Sequence, residues 1–333
     1  MRVEQLSREE YSDALPSSGF EVFHTPDALG ALDRHTDAEL RLYGGFKGDR
    51  PVALWPTFVN ERPVGTTITS PPPGMGVPRL GPLTMPASPK RRKQEKVNRE
   101  FTSEVLSDLG ADGRGTAFRA ICGANYPDPR PFVWDEFSVT PGFTYVLDLE
   151  DADTEEVKRS FSKSLRREIR DAEDLDVAVT VEGVDGAREV YETTRERYEE
   201  QDRTLSPEWP YVEDLVESLD DRARVYVARD DDGEFLGGIT ALYSNDHAYF
   251  WQGGTRAVHD GVSVNGLLHW HIVSDLVTES PNGATGYDLM GANTERLCQY
   301  KAKFGADLQP YWTVETDGAG MGALKTAYRM VNR

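Results

Sequence analysis

Lysine is scarce in this chain, and its placement is informative. Nine lysines stand beside 28 arginines, and seven of the nine fall in three short windows, 90–96, 158–163 and 301–303. Lys301 and Lys303 close a stretch in which Leu297, Tyr300 and Phe304 recur at the spacing of a buried helix face. Two cations near a helix end suit its dipole, but that does not explain why rare lysines gather there. Lys301 follows a core-facing tyrosine by one residue, so it is expected to leave the core face and enter a cleft. Upstream, Asp288 precedes a turn at a strand end. A carboxylate there can take a proton from an attacking amine or orient the turn. Lys163 and Arg167 are four residues apart, with Arg166 beside them, and share a helix face. Cations so placed can grip a phosphate or diphosphate. Their neighbours Lys158, Arg159 and Arg170 alternate with Glu155, Glu156, Glu168, Asp171 and Glu173 and read as a solvated, ion-paired face.

These residues need elements to position them. Residues 287–290 read as a short strand, Gly291 turns the chain, and Asn293 has the acceptor side chain of an N-cap. Gly305 stops the helix as a C′ glycine, and 308–314 return as a strand. Thr154 caps a helix expected over 154–175, with Val157, Phe161, Leu165, Ile169 and Ala172 on its apolar side. A helix over 187–200 follows. Tyr198, Trp209 and Tyr211 are expected in a loop after a helix, and the three offer faces on which a sugar could stack. Residues 224–229 and 235–243 read as a hairpin, 247–253 as a third strand and 264–277 as a buried helix. His269 and His271 flank Trp270 on that helix, so the inward one is expected to be a satisfied core histidine. In the N-terminal third, 40–46 and 51–59 repeat the hairpin plan of 224–243, with helical segments before and after. Residues 65–89 read as a long irregular loop, and 90–99, with six basic residues and one acid, as a solvated loop before a helix. That basic loop could also approach an RNA acceptor stem or an anionic lipid-linked glycan. Two copies of one plan predict an α/β (α+β) fold of two tandem units, each a mixed, mostly antiparallel sheet flanked by helices. Their expected bounds are 1–150, joined by a C-terminal helix over 318–333, and 151–317.

Composition narrows the function. The 333 residues carry a formal charge of −20 and a pI near 4.7, which argues against bulk affinity for DNA or for an anionic membrane. Abundant acids with few lysines fit a halophilic protein. Cys122 and Cys298 give neither a disulfide framework nor a zinc spacing. No His-x-x-x-His, Asp-Gly metal loop or Walker loop occurs, so neither a metal nor nucleotide hydrolysis is expected. No apolar run approaches the roughly 20 residues of a transmembrane helix, and the start has no signal-peptide core. A cytoplasmic monomer or weak dimer is the expectation.

Two stretches resemble a known family. Asp288-Leu289-Met290-Gly291-Ala292-Asn293, followed by Tyr300-Lys301-Ala302-Lys303-Phe304-Gly305, resembles the C-terminal signature of the Fem-type aminoacyltransferases and of the related acetyltransferases of polysaccharide operons, within the GNAT superfamily. Ser162-Lys163-Ser164-Leu165-Arg166-Arg167-Glu168-Ile169-Arg170-Asp171-Ala172 is similar to the family's Ser-Lys-x-x-Arg-x-x-Ile-x-x-Ala helix. The resemblance covers roughly 140–315 and implies two GNAT-like units. It also implies transfer of an acyl or aminoacyl group, from acyl-CoA or aminoacyl-tRNA, to an amine on a sugar, glycan or cell-envelope precursor. Small-molecule or glycan acceptors and tRNA are then the partners, and Lys301 sits at the donor's carbonyl end. In GNAT enzymes, backbone amides in the segment matching 251–263 hold the coenzyme A diphosphate. That places Trp251, Arg256 and Gly261 among the donor-binding residues. Here Arg256 is followed by Ala-Val-His-Asp-Gly, which departs from the usual Gln/Arg-x-x-Gly-x-Gly/Ala pattern. A non-catalytic GNAT-like module that binds a polysaccharide intermediate or a protein is the alternative.

Overall fold

Short strands rich in Val, Ile, Tyr and Phe, punctuated by glycine turns, make hairpins in both halves of the chain. The computed structural model describes residues 1–316 apart from Val64, Arg114 and 255–257. The expected helix over 318–333 and the candidate Arg256 therefore lie outside the described residues. In chain order the first elements are β1 (Arg2–Leu6), α1 (Arg8–Ala14), α2 (Pro26–Arg34), β2 (Glu39–Lys47), β3 (Arg50–Arg62), β4 (Gly65–Ser70), β5 (Leu83–Thr84), α3 (Arg91–Asp108), β6 (Thr116–Ile121) and α4 (Arg130–Trp134). Then follow β7 (Phe137–Asp148), α5 (Thr154–Ser160), α6 (Lys163–Glu173), β8 (Ala178–Glu182), α7 (Val184–Glu199), α8 (Trp209–Leu219), β9 (Ala223–Arg229), β10 (Phe235–Tyr243) and β11 (His247–Gly253). The last are β12 (Val258–His259), β13 (Val262–Ser263), α9 (Asn265–Thr278), β14 (Gly286–Asp288), α10 (Glu295–Lys301) and β15 (Asp307–Thr316).

The chain divides into two compact units. One is Met1–Gly142 with the chain from Pro310 as far as it is described; the other is Phe143–Gln309. Sequence placed the bounds at 150 and 317, but the chain changes unit within β7 and within β15, each a single unbroken strand.

In the first unit the strand order is β1-β2-β3-β4-β6-β15. Every neighbour is antiparallel except β4 and β6, which run parallel, with α3 between them in sequence. In the second unit the order is β8-β9-β10-β11-β14-β7, and the one parallel pair is β11 with β14, joined through α9. Both units thus follow one plan of three antiparallel pairings, a parallel step across a helix, and a closing antiparallel strand.

Each unit has its own core. In the first, Trp55, Phe118 and Phe132 meet edge-on or stacked beneath Phe101 and Val105 of α3. In the second, Leu165 and Ile169 of α6 and Leu268 and Ile272 of α9 cover Tyr226, Ile239, Ala241 and Tyr243. Each fully buried aliphatic or aromatic side chain contributes about 1.5–3 kcal/mol.

Four expectations are corrected. Residues 65–89 are not one irregular loop, because Gly65–Ser70 pairs between β3 and β6 as β4. The basic segment 90–99 is not a loop but the first half of α3, anchored by the buried Val97, Phe101 and Val105. Tyr198 lies on helix α7, and Trp209 and Tyr211 open helix α8, so none of the three lies in a loop. The helix expected over 154–175 is two helices. Phe161 and Ser162 are extended, which lets the Ser162 hydroxyl accept the Leu165 N–H at 3.2 Å as a fresh N-cap, while Asp153, not Thr154, caps α5.

Candidate active site

Among the described residues, the sheet of the second unit opens between β11 and β14. β11 and β14 pair in parallel only from His247 opposite Gly286 to Tyr249 opposite Asp288. Beyond that, β11 continues against β10 as far as Gly253, with a bulge at Thr240–Ala241. The chain after β14 turns away instead: Met290 and Gly291 both take left-handed conformations, with φ of 56° and 47°. Methionine rarely adopts this conformation, and such strain persists only where neighbours enforce it.

Asp288 is the enforcing neighbour. It is 2% exposed, and its Oδ1 accepts the Met290 N–H at 2.7 Å together with the Thr144 hydroxyl. Asn293 does not cap α10; Thr294 occupies the N-cap position. The Asn293 side chain instead bridges to β7, accepting the Phe143 N–H at 2.9 Å and donating to the Phe143 carbonyl at 3.2 Å. The Asp-Leu-x-Gly-x-Asn stretch is a turn clamped to β7 from both ends.

Lys301 fills the space beneath this turn. Its Nζ donates to the Met290 carbonyl and, at 3.3 Å, to the Gly291 carbonyl, and it lies 5.5 Å from the centre of the Phe250 ring. The side chain is only 5% exposed. The sequence reading turned Lys301 away from the core. The structure turns it inward, because two carbonyls freed by the left-handed turn take the place of water around the ammonium. One helical turn earlier the same face overhangs the core, and Leu297, expected to be buried, is 45% exposed. Burial pulls the Lys301 pKa down to about 8, and the nearby Asp288 charge offsets part of that effect.

An aromatic wall surrounds the lysine. His269 of α9 packs 4.8 Å from Phe250 and 4.9 Å from Phe304, ring centre to ring centre, and its Nδ1 lies 2.8 Å from the Tyr287 hydroxyl. Desolvation, reinforced by the Lys301 charge, pushes its pKa down to about 3, so the imidazole is neutral at ordinary pH. It is the core histidine that sequence anticipated, but satisfied on one nitrogen only: Nε2 has no partner among the described residues. The Tyr300 hydroxyl and both side-chain atoms of Gln252, opposite Thr240 at the bulge, are likewise buried without partners among the described residues.

The two signature stretches meet through backbone. The Ser162 N–H donates to the Lys303 carbonyl at 2.7 Å, and Phe161 lies edge-on to Phe304 at 5.5 Å. Gly305, at φ 69°, passes so close that an added Cβ would stand 2.9 Å from the Ser160 carbonyl. The cations of the first stretch do not join the lysine. Lys163, Arg166 and Arg167 are all exposed, and Arg167 pairs with Asp171 at 3.2 Å. Lys158 pairs with Glu173 at 2.9 Å, as expected of a solvated face. Tyr198 is half-buried on α7, with Arg203 over its ring at 4.6 Å. Trp251 is half-buried on β11. Gly261, at φ 80°, makes the turn of the small β12–β13 hairpin with Asp260 and is exposed. Sequence reasoning missed Phe250, Gln252, Tyr287 and Thr144. The first three lie on strands whose alternation marks them only as core.

Among the described residues, no group of three His, Cys, Asp or Glu is placed to hold a metal ion. None of the described helices is long and apolar enough to cross a membrane.

Comparison with known proteins bears on the fold. Residues 159–302 match the acetyltransferase (GNAT) domain family. No curated protein matches the chain by sequence. Among solved structures, FemX superposes with a TM-score of 0.69 at 12% identity, covering 100% of both chains. The C-terminal domain of a putative lysylphosphatidylglycerol synthetase from Agrobacterium fabrum gives 0.57 at 14% identity, over 96% of this chain and 95% of that one. A tandem GNAT protein from the clavulanic acid biosynthesis pathway gives 0.51 at 12% identity, over 96% and 99%. Residues 159–302 thus match a GNAT domain, and the chain as a whole shares its fold with FemX and with the tandem GNAT protein.

Proposed function

We propose that this GNAT-fold chain is an acyltransferase that moves an acyl or aminoacyl group from an activated carrier to an amine on a sugar, glycan or cell-envelope precursor. The observation that carries this reading is Lys301. It is a buried lysine, held on two carbonyls, at the point where β11 and β14 part. The β11–β14 ladder ends at Tyr249 and Asp288, and where parallel strands part a carbonyl can be bound against backbone N–H groups. A lysine with a pKa near 8 supplies positive charge beside such a carbonyl, or a proton to the group that leaves it. We assign Asp288 to holding the turn that positions Lys301 rather than to deprotonating the amine, since one carboxylate oxygen takes both of the contacts described above. Lys163, Arg166 and Arg167, with Tyr198, Trp251 and Gly261, remain candidates for contact with donor or acceptor. The exposure of the three cations suits a large anionic ligand better than an enclosed one.

The test is a thermal-shift screen with acetyl-CoA, longer acyl-CoAs and charged tRNA, because a ligand that binds the folded state raises its apparent stability. The donor that raises it is then used in a transfer assay with amino-sugar acceptors. One observation favours a second reading, a non-catalytic module: both hydrogen bonds described for Lys301 go to the chain's own carbonyls. Failure of every donor to shift the melting temperature would select that reading.

A further inference from the structure

Helix α3 begins against its own dipole. Lys90 stands at its N-cap without a side-chain cap bond, and Arg91, Arg92 and Lys93 fill a first turn that has no acid. Cations there are unfavourable for the helix. Residues 90–99 hold six basic residues and one acid in a chain of charge −20, so basic side chains concentrate here, although Glu95, Glu100, Asp128 and Asp135 pair with some of them and with Arg130. Arg91 pairs with Glu95, Lys96 with Glu100 and Arg99 with Asp135. Among the described residues, no carboxylate lies within ion-pair distance of Lys90, Arg92 or Lys93. Arg92, Lys96 and Arg99 fall at i, i+4 and i+7, on a stripe opposite the buried Val97, Phe101 and Val105.

That stripe leads to α4, whose tip carries two adjacent exposed apolar residues, Val133 at 54% and Trp134 at 53%. The guanidinium carbons of Arg99 and Arg130 lie 5.7 and 5.6 Å from the centre of the indole. Two arginines already occupy the ring that a nucleobase would stack on. An aliphatic isopropyl group offers nucleic acid nothing, yet it gains roughly 25 cal/mol per Å² on leaving water. A tryptophan and an aliphatic tip rimmed by arginine and lysine match the chemistry of a lipid–water interface, where each basic residue near anionic headgroups is worth about 1 kcal/mol. The net negative charge of the rest of the chain repels such a surface, so this patch would also fix the orientation.

We propose that the Arg92–Lys96–Arg99 stripe and the Val133–Trp134 tip dock the first unit onto an anionic lipid surface. The proposal is independent of the transfer reaction.

Co-sedimentation with phosphatidylcholine vesicles, with and without phosphatidylglycerol, tests it at low salt. The wild-type chain is expected to partition onto the phosphatidylglycerol vesicles only. The double variant Arg92→Gln/Lys96→Gln should bind about thirtyfold more weakly, roughly fivefold per charge. Trp134→Ser should lose both binding strength and the blue shift of emission on vesicles. All of these side chains are at the surface, and circular dichroism verifies that the variants fold. Should Trp134→Ser misfold, Val133→Ser reads the same contact. The proposal is overturned if wild type ignores the anionic vesicles or if Trp134→Ser binds them as wild type does. Binding to bulk tRNA that survives Trp134→Ser, with no vesicle binding, would replace it with a nucleic-acid surface.

Discussion

Replacing Lys301 by methionine keeps an unbranched chain one atom shorter and removes the charge. Two terms of similar size then oppose each other. Holding the ammonium out of water lowers its pKa from 10.5 to about 8, which corresponds to a penalty of about 3 kcal/mol that the charged lysine imposes on the fold. Removing it leaves the Met290 and Gly291 carbonyls without that donor, at roughly 1–3 kcal/mol each. At pH 7 the expected net change is therefore modest, between a gain of about 1 kcal/mol and a loss of about 3 kcal/mol. The pH dependence is more decisive. Between pH 8 and 10.5 the unfolded chain still binds a proton that the folded chain has released, so Lys301 makes wild-type stability rise with pH through that window. The difference between wild type and Lys301→Met, from urea melts across the window, should grow by about 3 kcal/mol. Taking the difference cancels the tyrosines that titrate nearby. A flat difference would mean that water reaches the ammonium, and the buried-lysine argument would fail. With a donor in hand, the same variant should lose at least about tenfold in turnover or donor affinity, a cost of roughly 1.4 kcal/mol. Lys303→Ala should change neither.

Three further outcomes are expected. Ser162→Ala removes the cap of α6 and should cost about 1 kcal/mol in chemical denaturation, whereas the neighbouring exposed Ser164→Ala should be near neutral. His269 has a folded pKa near 3 against an ordinary 6.5, so its contribution is full above pH 6.5 and is lost as pH falls toward 3. His269→Phe should flatten that acid limb of the stability curve. In the first unit, Arg79 is paired with Glu21 at 2.9 Å, and both are buried. Arg79→Met strands the carboxylate and should cost about 3–5 kcal/mol, read as a lower melting temperature.

The repeated plan was legible because hairpin signals are local: apolar alternation on both sides of Lys47–Arg50 and of Asp230–Gly233 is enough to pair the strands. Gly305 was legible as well, since a left-handed helix stop favours glycine. The break at Ser162 was written in the sequence as a second cap but was hidden by the apolar period running unbroken from Val157 through Ala172. The inward turn of Lys301 was not legible. It depends on two carbonyls that face the lysine only because Met290 takes a left-handed conformation, and no propensity assigns that conformation to methionine. His269, Phe250 and Tyr287 were hidden for a different reason. Strand and helix periodicity marks a residue as interior without distinguishing packing from a site.

The closing strand of the first unit has a consequence for how the protein is made. Ala120 pairs with Val314, and Arg119 meets Glu315 at 2.8 Å, across 196 positions of sequence. Synthesis runs from the N-terminus at about 5–20 residues per second, so β1 to β6 wait on the order of ten seconds or more for the strand that completes their sheet. The edge of β6 stays open throughout that interval. The second unit, by contrast, draws all its strands from one uninterrupted stretch and can close as soon as it emerges. The order of folding is then expected to be the reverse of the order of synthesis. The early-made half is the one exposed to chaperones and to mispairing at its unpaired edge.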